Sequence, residues 1–318
     1  MSAKFSLVVA GAVLAAACTS TAVPSSGPPS TNAPLGTTTS TTTDSLSRPP
    51  FCSELWEPQQ TGNVDSDELD EISGAAVSRD HADVIWVHND SGNDAEVFAI
   101  DATGTELGRV SLPDLSARDW EDMALGPGPD PDRDYLYLAD IGDNRGTRDE
   151  VSIHRIPEPD PDIDAAPGGE TLLVTYPAGP TEAETLLVDP VSGDMLIVGK
   201  AISGQTPVHE IPGTVDWSLP HEASYLGEIG LGTFAVATGG DVGVNVILIR
   251  TYDEVFMWER RPGEGLAAGL SSPRCRVASV NETQGEAIAL TPDETSFYTI
   301  SEGEHQPILS FSGQGTGS

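Results

Sequence analysis

The chain has 318 residues, enough for one large domain or two ordinary ones, and carries 50 Asp and Glu against 15 Lys and Arg, a formal net charge of −35. That balance excludes nucleic acid as a partner, because phosphate backbones are held by Lys and Arg. It attracts cations, although a solvated acidic coat that keeps an exported protein soluble explains the bulk charge on its own.

Residues 1–17 read as an export signal. Lys4 supplies the positive start, and Phe5 to Ala17 is an apolar run shorter than the roughly 20 residues of a spanning helix. The run ends Leu14-Ala15-Ala16-Ala17-Cys18, which resembles the bacterial lipobox and makes Cys18 the expected lipidation site. Ala15 stands where that motif more often has Leu, so ordinary cleavage near Ala17 is the alternative. Residues 18–50 are rich in Ser, Thr and Pro and read as a disordered tether. The layout is that of a lipoprotein on the extracytoplasmic side, held to the membrane only through its N-terminal lipid.

Residues 51–312 show short β-rich runs separated by Gly, Pro, Asp and Asn turns, with residues 313–318 a flexible tail. The runs fall into groups of four: 72–77, 84–88, 97–100 and 107–112; then 123–125, 135–139, 151–156 and 171–176. The third group is 185–188, 195–198, 208–211 and 223–229, and the fourth is 234–242, 246–252, 254–259 and 274–280. The last has three, 287–290, 296–300 and 308–311. Four-stranded units at such a period predict an all-β propeller. Residues 54–64 supply the missing strand and close the ring, which removes open edges. The count is five blades; six is the alternative, because residues 199–240 are long enough to hide extra strands. The expected state is a monomer.

Of three cysteines, Cys52 falls in the closing strand and Cys275 in the outer strand of the unit before it. Export favours a disulfide between them over two free thiols.

Each unit opens on an acid: Glu71, Glu121, Glu184, Asp241 and Glu286. First strands line a propeller's channel, so these five predict an acidic ring and the candidate metal ligands. Second strands run back to the same face, which adds His88, Asn89, Asp90, Asp140, Asp143, Asn144, Arg145, Lys200, Arg250, Tyr252 and Glu302. Carboxylates crowded at a channel mouth repel one another unless a cation compensates. Hard oxygen donors favour Ca²⁺ or Mg²⁺ over Zn²⁺, making Ca²⁺ the expected cofactor. The competing reading is architectural: acids repeated in every blade can accept backbone N–H bonds from neighbouring blades. The non-repeating residues fit an asymmetric ligand site better. Asp140, Asp143, Arg145, Lys200 and Arg250 are the candidate catalytic groups; His88, Asn89, Asp90, Asn144, Tyr252 and Glu302 are the candidate ligand contacts. Asp241 fits the ring least well, with nine positions to Arg250 against 16 to 19 from opening acid to strand end elsewhere.

Glu71-Ile-Ser-Gly, Trp86-Val-His-Asn-Asp-Ser-Gly, Asp119-Trp-Glu-Asp-Met-Ala, Ala139-Asp-Ile-Gly-Asp-Asn and Gln284-Gly-Glu-Ala together resemble a family of secreted bacterial propellers of poorly known function. That family is loosely similar to the phytase-like and SdiA-regulated propellers. In propeller phytases calcium ions on an acidic top face bind substrate phosphates with help from Lys and Arg. The resemblance implies that role for the ring, Arg145, Lys200 and Arg250. Three functions follow as expectations: a surface propeller binding a small molecule, glycan or protein; a calcium-dependent phosphoesterase or lactonase; or a structural envelope lipoprotein.

Overall fold

The computed structural model describes Cys52, residues 56–166 and residues 168–313. The signal, Cys18, the tether and the tail beyond Gly313 lie outside the described residues.

Five sheets form five blades, each built outward from the channel. The first is β2 (Ile72–Val77), β3 (Ile85–Asn89), β4 (Glu96–Ile100) and β5 (Glu106–Ser111). The second is β6 (Trp120–Pro127), β7 (Asp134–Asp140), β8 (Val151–Pro157) and β9 (Glu170–Thr175); the third is β10 (Ala183–Val188), β11 (Met195–Gly199), β12 (Gln205–Ile211) and β14 (Ser224–Gly230). The fourth is β15 (Gly239–Val242), β16 (Val246–Arg250), β17 (Glu254–Glu259) and β18 (Cys275–Ser279). The fifth is β19 (Gly285–Leu290), β20 (Ser296–Ser301) and β21 (Pro307–Ser312), completed on its outside by β1 (Pro58–Asn63). The closing strand pairs antiparallel, Pro58 opposite Phe311 and Asn63 opposite Pro307. Cys52 and Cys275 form the disulfide, with Cα atoms 5.6 Å apart.

The six-blade alternative is corrected. Within residues 199–240 the only extra strand is β13 (His221–Glu222), and it adds in parallel to the outer edge of the second blade beside Val174 and Thr175. The expected first strand at 234–242 is also shorter. Its opening residues form a turn, and pairing begins at Gly239. The one helix described, α1 (Leu266–Leu270), has five residues.

Inner strands are buried on both faces because adjacent blades pack against them. Hence β6 and β10 are buried along almost their whole length, whereas outer β9 and β14 are partly exposed. Five apolar cores result, one between each neighbouring pair of blades. Inner strands β2, β6, β10, β15 and β19 touch in ring order. Their N-terminal ends meet at one mouth of the channel.

Candidate cation and ligand site at the channel mouth

Four inner strands carry a β-bulge at the same level. The pairing slips between Ile72 and Gly74, Trp120 and Asp122, Ala183 and Thr185, and Gly285 and Ala287. The unpaired residues are Ser73, Glu121, Glu184 and Glu286. A bulge re-aims the extra side chain, here toward the channel. The fourth blade pairs Gly239 with Arg250 and Gly240 with Ile249 without a slip.

The ring is therefore not the one expected. Glu121, Glu184 and Glu286 occupy it and are buried. Glu71 stands two residues before its bulge, is exposed, and accepts a bond from Asn93 Nδ2 at 3.0 Å; Ser73 takes its ring position. Asp241 lies toward the opposite mouth. Its carboxylate accepts the Leu290 N–H at 2.7 Å, and it lines a small cavity with Arg79, Leu125 and Val242. Burial raises its pKa to about 6. The short spacing to Arg250 follows from its place inside β15, opposite Leu248 and past the Gly239–Arg250 pair, and from the short turn between β15 and β16.

Two groups of carboxylates share Glu121. Oxygens of Asp90, Asp119 and Glu121 lie within 4.8 Å of one another, and so do oxygens of Glu121, Glu182 and Glu184. One oxygen each of Glu121, Glu182 and Glu184 is buried without a hydrogen-bond partner. Asp119 and Glu182 each precede a bulge glutamate by two residues; Asp119 stands in a motif read from the sequence, but neither was among the candidate site residues. The signal was there: Asp-x-Glu at 119–121 and Glu-x-Glu at 182–184 put two acids on one side of a strand.

The electrostatics are correspondingly strained. Burial, then Glu184, Asp90 and Asp119, pushes the Glu121 carboxyl to about 11. Burial lifts Glu184 to about 8 against the opposing Lys200 ammonium, which bonds its Oε1. Asp90 rises to about 6 through burial, despite a bond from the Ser91 N–H. Glu302 rises to about 9 through burial and the neighbouring Glu286 carboxylate. Lys200 is half-buried 5.5 Å from the Tyr252 ring, which places Tyr252 at the rim.

Several expected site residues instead hold the scaffold. Arg250 is fully buried, bonding Glu282 Oε2 at 2.6 Å and the Ala287 carbonyl at 2.8 Å, and so clamps the fourth blade to the fifth without reaching solvent. Asp143 accepts the N–H groups of Thr147 and Arg148, each at 2.9 Å, folding its own loop. Asp140 pairs with Arg148 at 2.7 Å, and both are buried. His88 is buried against Trp120, with burial holding its imidazole below its usual pKa and therefore neutral. Asn89 bridges to the Glu68 carbonyl and the Glu71 N–H. Asn144 and Arg145 are exposed and line a cleft of about 380 Å³ with Arg118, Asp119 and Ser91, beside the first carboxylate group.

Below the mouth sits Asp122, part of the Asp119-Trp-Glu-Asp-Met-Ala motif but not among the candidate site residues. One carboxylate oxygen accepts the Leu186 N–H at 2.8 Å and the Gly240 N–H at 3.2 Å; the other accepts Met123 at 2.9 Å. It thus ties three inner strands together. This is the architectural role expected of the repeated acids; of those five, Asp241 also performs it, by accepting the Leu290 N–H of the next blade.

No protein-family model matches the chain, and no curated protein does. Among solved structures, the crystal structure of Myxococcus xanthus glutaminyl cyclase matches with a TM-score of 0.43 and 12% identity, over 81% of this chain and 97% of that one. At that score and identity the likeness says nothing about chemistry. The described residues include no helix long and apolar enough to cross a membrane. The disulfide is consistent with export to an oxidising compartment.

Proposed function

We propose that this propeller is an extracytoplasmic ligand-binding protein whose channel mouth holds divalent cations, calcium foremost, at the two carboxylate groups that share Glu121. One observation carries the reading: Glu121, Glu182 and Glu184 bring carboxylate oxygens within 4.8 Å of one another, and one oxygen of each is buried without a hydrogen-bond donor. Such groups are costly to leave unpaired, and a cation satisfies them. The donors are all oxygen, which suits a hard ion. Five carboxyl groups meet one ammonium, Lys200, and a divalent ion bound there displaces the protons that burial places on Glu121 and Glu184.

The ligand approaches from the cleft side. Arg118 and Arg145 flank Asp119 there, in a chain otherwise poor in basic residues. An anionic group entering that cleft meets a bound cation on one side and guanidinium groups on the other. Lipidation at Cys18 and the tether after it would hold this mouth at the cell surface.

The test is thermal melting of the full chain in increasing calcium. Binding to the folded state alone raises Tm with concentration. The rise should disappear in Glu121→Gln and shrink in Glu182→Gln. A wild-type Tm indifferent to millimolar calcium and magnesium overturns the proposal.

A further inference from the structure

We infer that the mouth recognises an amphipathic anion, and that its uncharged apolar part lies in a rim groove walled by Phe234 and Tyr252. This rests on the cation reading above and adds the chemical class of the ligand.

The groove holds about 390 Å³, within the range of small-molecule sites. Its floor includes Val236 and Val280, both buried; Phe234, Ala235 and Tyr252 give it an apolar side, with the hydroxyl residues Thr233, Thr251 and Ser279 between them. Its position links it to the mouth, because the Tyr252 ring faces Lys200, and Lys200 holds Glu184. A molecule with its anionic end at the cations therefore reaches the groove by passing over Lys200. The charged side chains along the groove are Asp253 and Glu254, and Glu254 pairs with Arg276. A second anionic group is repelled there, so the part of the ligand in the groove carries no negative charge, and the Val236, Val280, Phe234 and Tyr252 surfaces favour an apolar one.

Phe234 supplies the independent sign. Its φ is +68°, a left-handed conformation costly for a bulky residue. Yet its side chain is 76% exposed, so burial does not repay that cost. The conformation is enforced by two loops locked together. Phe234 N–H donates to the Ile202 carbonyl at 3.3 Å and Leu231 N–H to the Gly204 carbonyl at 2.8 Å. Any Cβ at Gly204 would fall 1.6 Å from the Gly232 carbonyl oxygen. Ile202, 72% exposed, stands beside Phe234 on the partner loop. A rigid loop that displays an aromatic ring at the lip of a groove is pre-organised to cover an apolar group.

The experiment is calorimetric titration of the calcium-loaded full chain with straight-chain carboxylates from acetate to octanoate. Affinity should climb about two- to fourfold per added methylene. Phe234→Gly should flatten that climb while leaving the calcium-dependent Tm shift intact. Glycine suits the left-handed φ, so this variant should fold at least as well as the wild type. Chain-length independence, or a climb that Phe234→Gly leaves unchanged, overturns the inference while the cation reading stands. A climb that survives chelation of calcium overturns the claim of a single ligand spanning both sites. Absence of any calcium heat or Tm shift removes the cation reading itself.

Discussion

Gly142 lies directly against the carboxylate of Glu121: a Cβ added there would sit 1.9 Å from Oε1 and 2.6 Å from Asp119 Oδ2. The loop after β7 thus packs its backbone against the shared carboxylate, and any side chain at position 142 must push the two acids aside. Gly142→Ala should displace both acids and weaken calcium binding by about 10- to 100-fold, as loss of groups that orient metal ligands does. Equilibrium dialysis against calcium measures this; unchanged affinity would show that Glu121 is not positioned for the ion.

Lys200 is the internal cation of the mouth. Its ammonium on Glu184 offsets negative charge that an incoming ion would otherwise meet in full. Lys200→Met should tighten calcium binding by at least about tenfold, since unit charges about 4 Å apart near a protein surface interact by several kcal/mol. The same change should lower the Tm of the calcium-free protein. Weaker calcium binding in this variant would make Lys200 a support of the site, not a competitor.

Protons are the other competitor. Glu121, Glu184, Glu302 and Asp90 all have folded pKa values above the ordinary carboxylate range, with burial the leading cause. The folded state therefore binds more protons than the unfolded one. Calcium-free stability should fall as pH rises from about 4.5 through the values near 8 and 9 of Glu184 and Glu302. Calcium should remove most of that decline and expel protons as it binds. Melting curves from pH 5 to 9, with and without calcium, check the sign; a calcium-free Tm that climbs across this range contradicts it.

Arg250 separates scaffold from site. Its buried pair with Glu282 leaves an uncompensated charge if broken, so Arg250→Met should cost about 3–5 kcal/mol in denaturant unfolding. Calcium affinity of the folded fraction should not change. A large loss of affinity with little loss of stability would return Arg250 to the ligand site.

The blades, the closing strand and the disulfide were legible because they rest on local rules: apolar runs, turn residues and paired cysteines. The ring of acids was only partly legible. Glu121, Glu184 and Glu286 fall where a bulge turns them inward, and their spacing to the paired strand carries that extra residue. Glu71 and Asp241 were misplaced because the first blade puts Ser73 at its bulge and the fourth has none. No hydrophobic pattern records a one-residue slip in pairing. Arg250, Asp140 and Asp143 read as candidate catalytic groups because they end strands, or closely follow one, beside the mouth. Whether such a side chain faces solvent or ties down a neighbouring blade depends on packing between units far apart in sequence, as Arg250 bonding Ala287 shows.

The Cys52–Cys275 disulfide links residues 223 positions apart and fastens the N-terminal segment to the fourth blade. Cys52→Ser with Cys275→Ser should lower stability by up to about 5 kcal/mol in the chain-entropy account. The ring should still close through β1 and β21, so far-ultraviolet circular dichroism at low temperature should not change. Loss of the β signal would mean that strand pairing alone cannot close the propeller.

The central claim is that Glu121 is shared between cation positions at the mouth. Isothermal titration of calcium into chelator-stripped protein tests it most directly, with Glu121→Gln and Glu182→Gln run beside the wild type. The account predicts saturable binding with proton release in the wild type, partial loss in Glu182→Gln, and loss of all mouth binding in Glu121→Gln. Saturable binding that Glu121→Gln leaves intact, or no binding in the wild type at neutral pH, would contradict it.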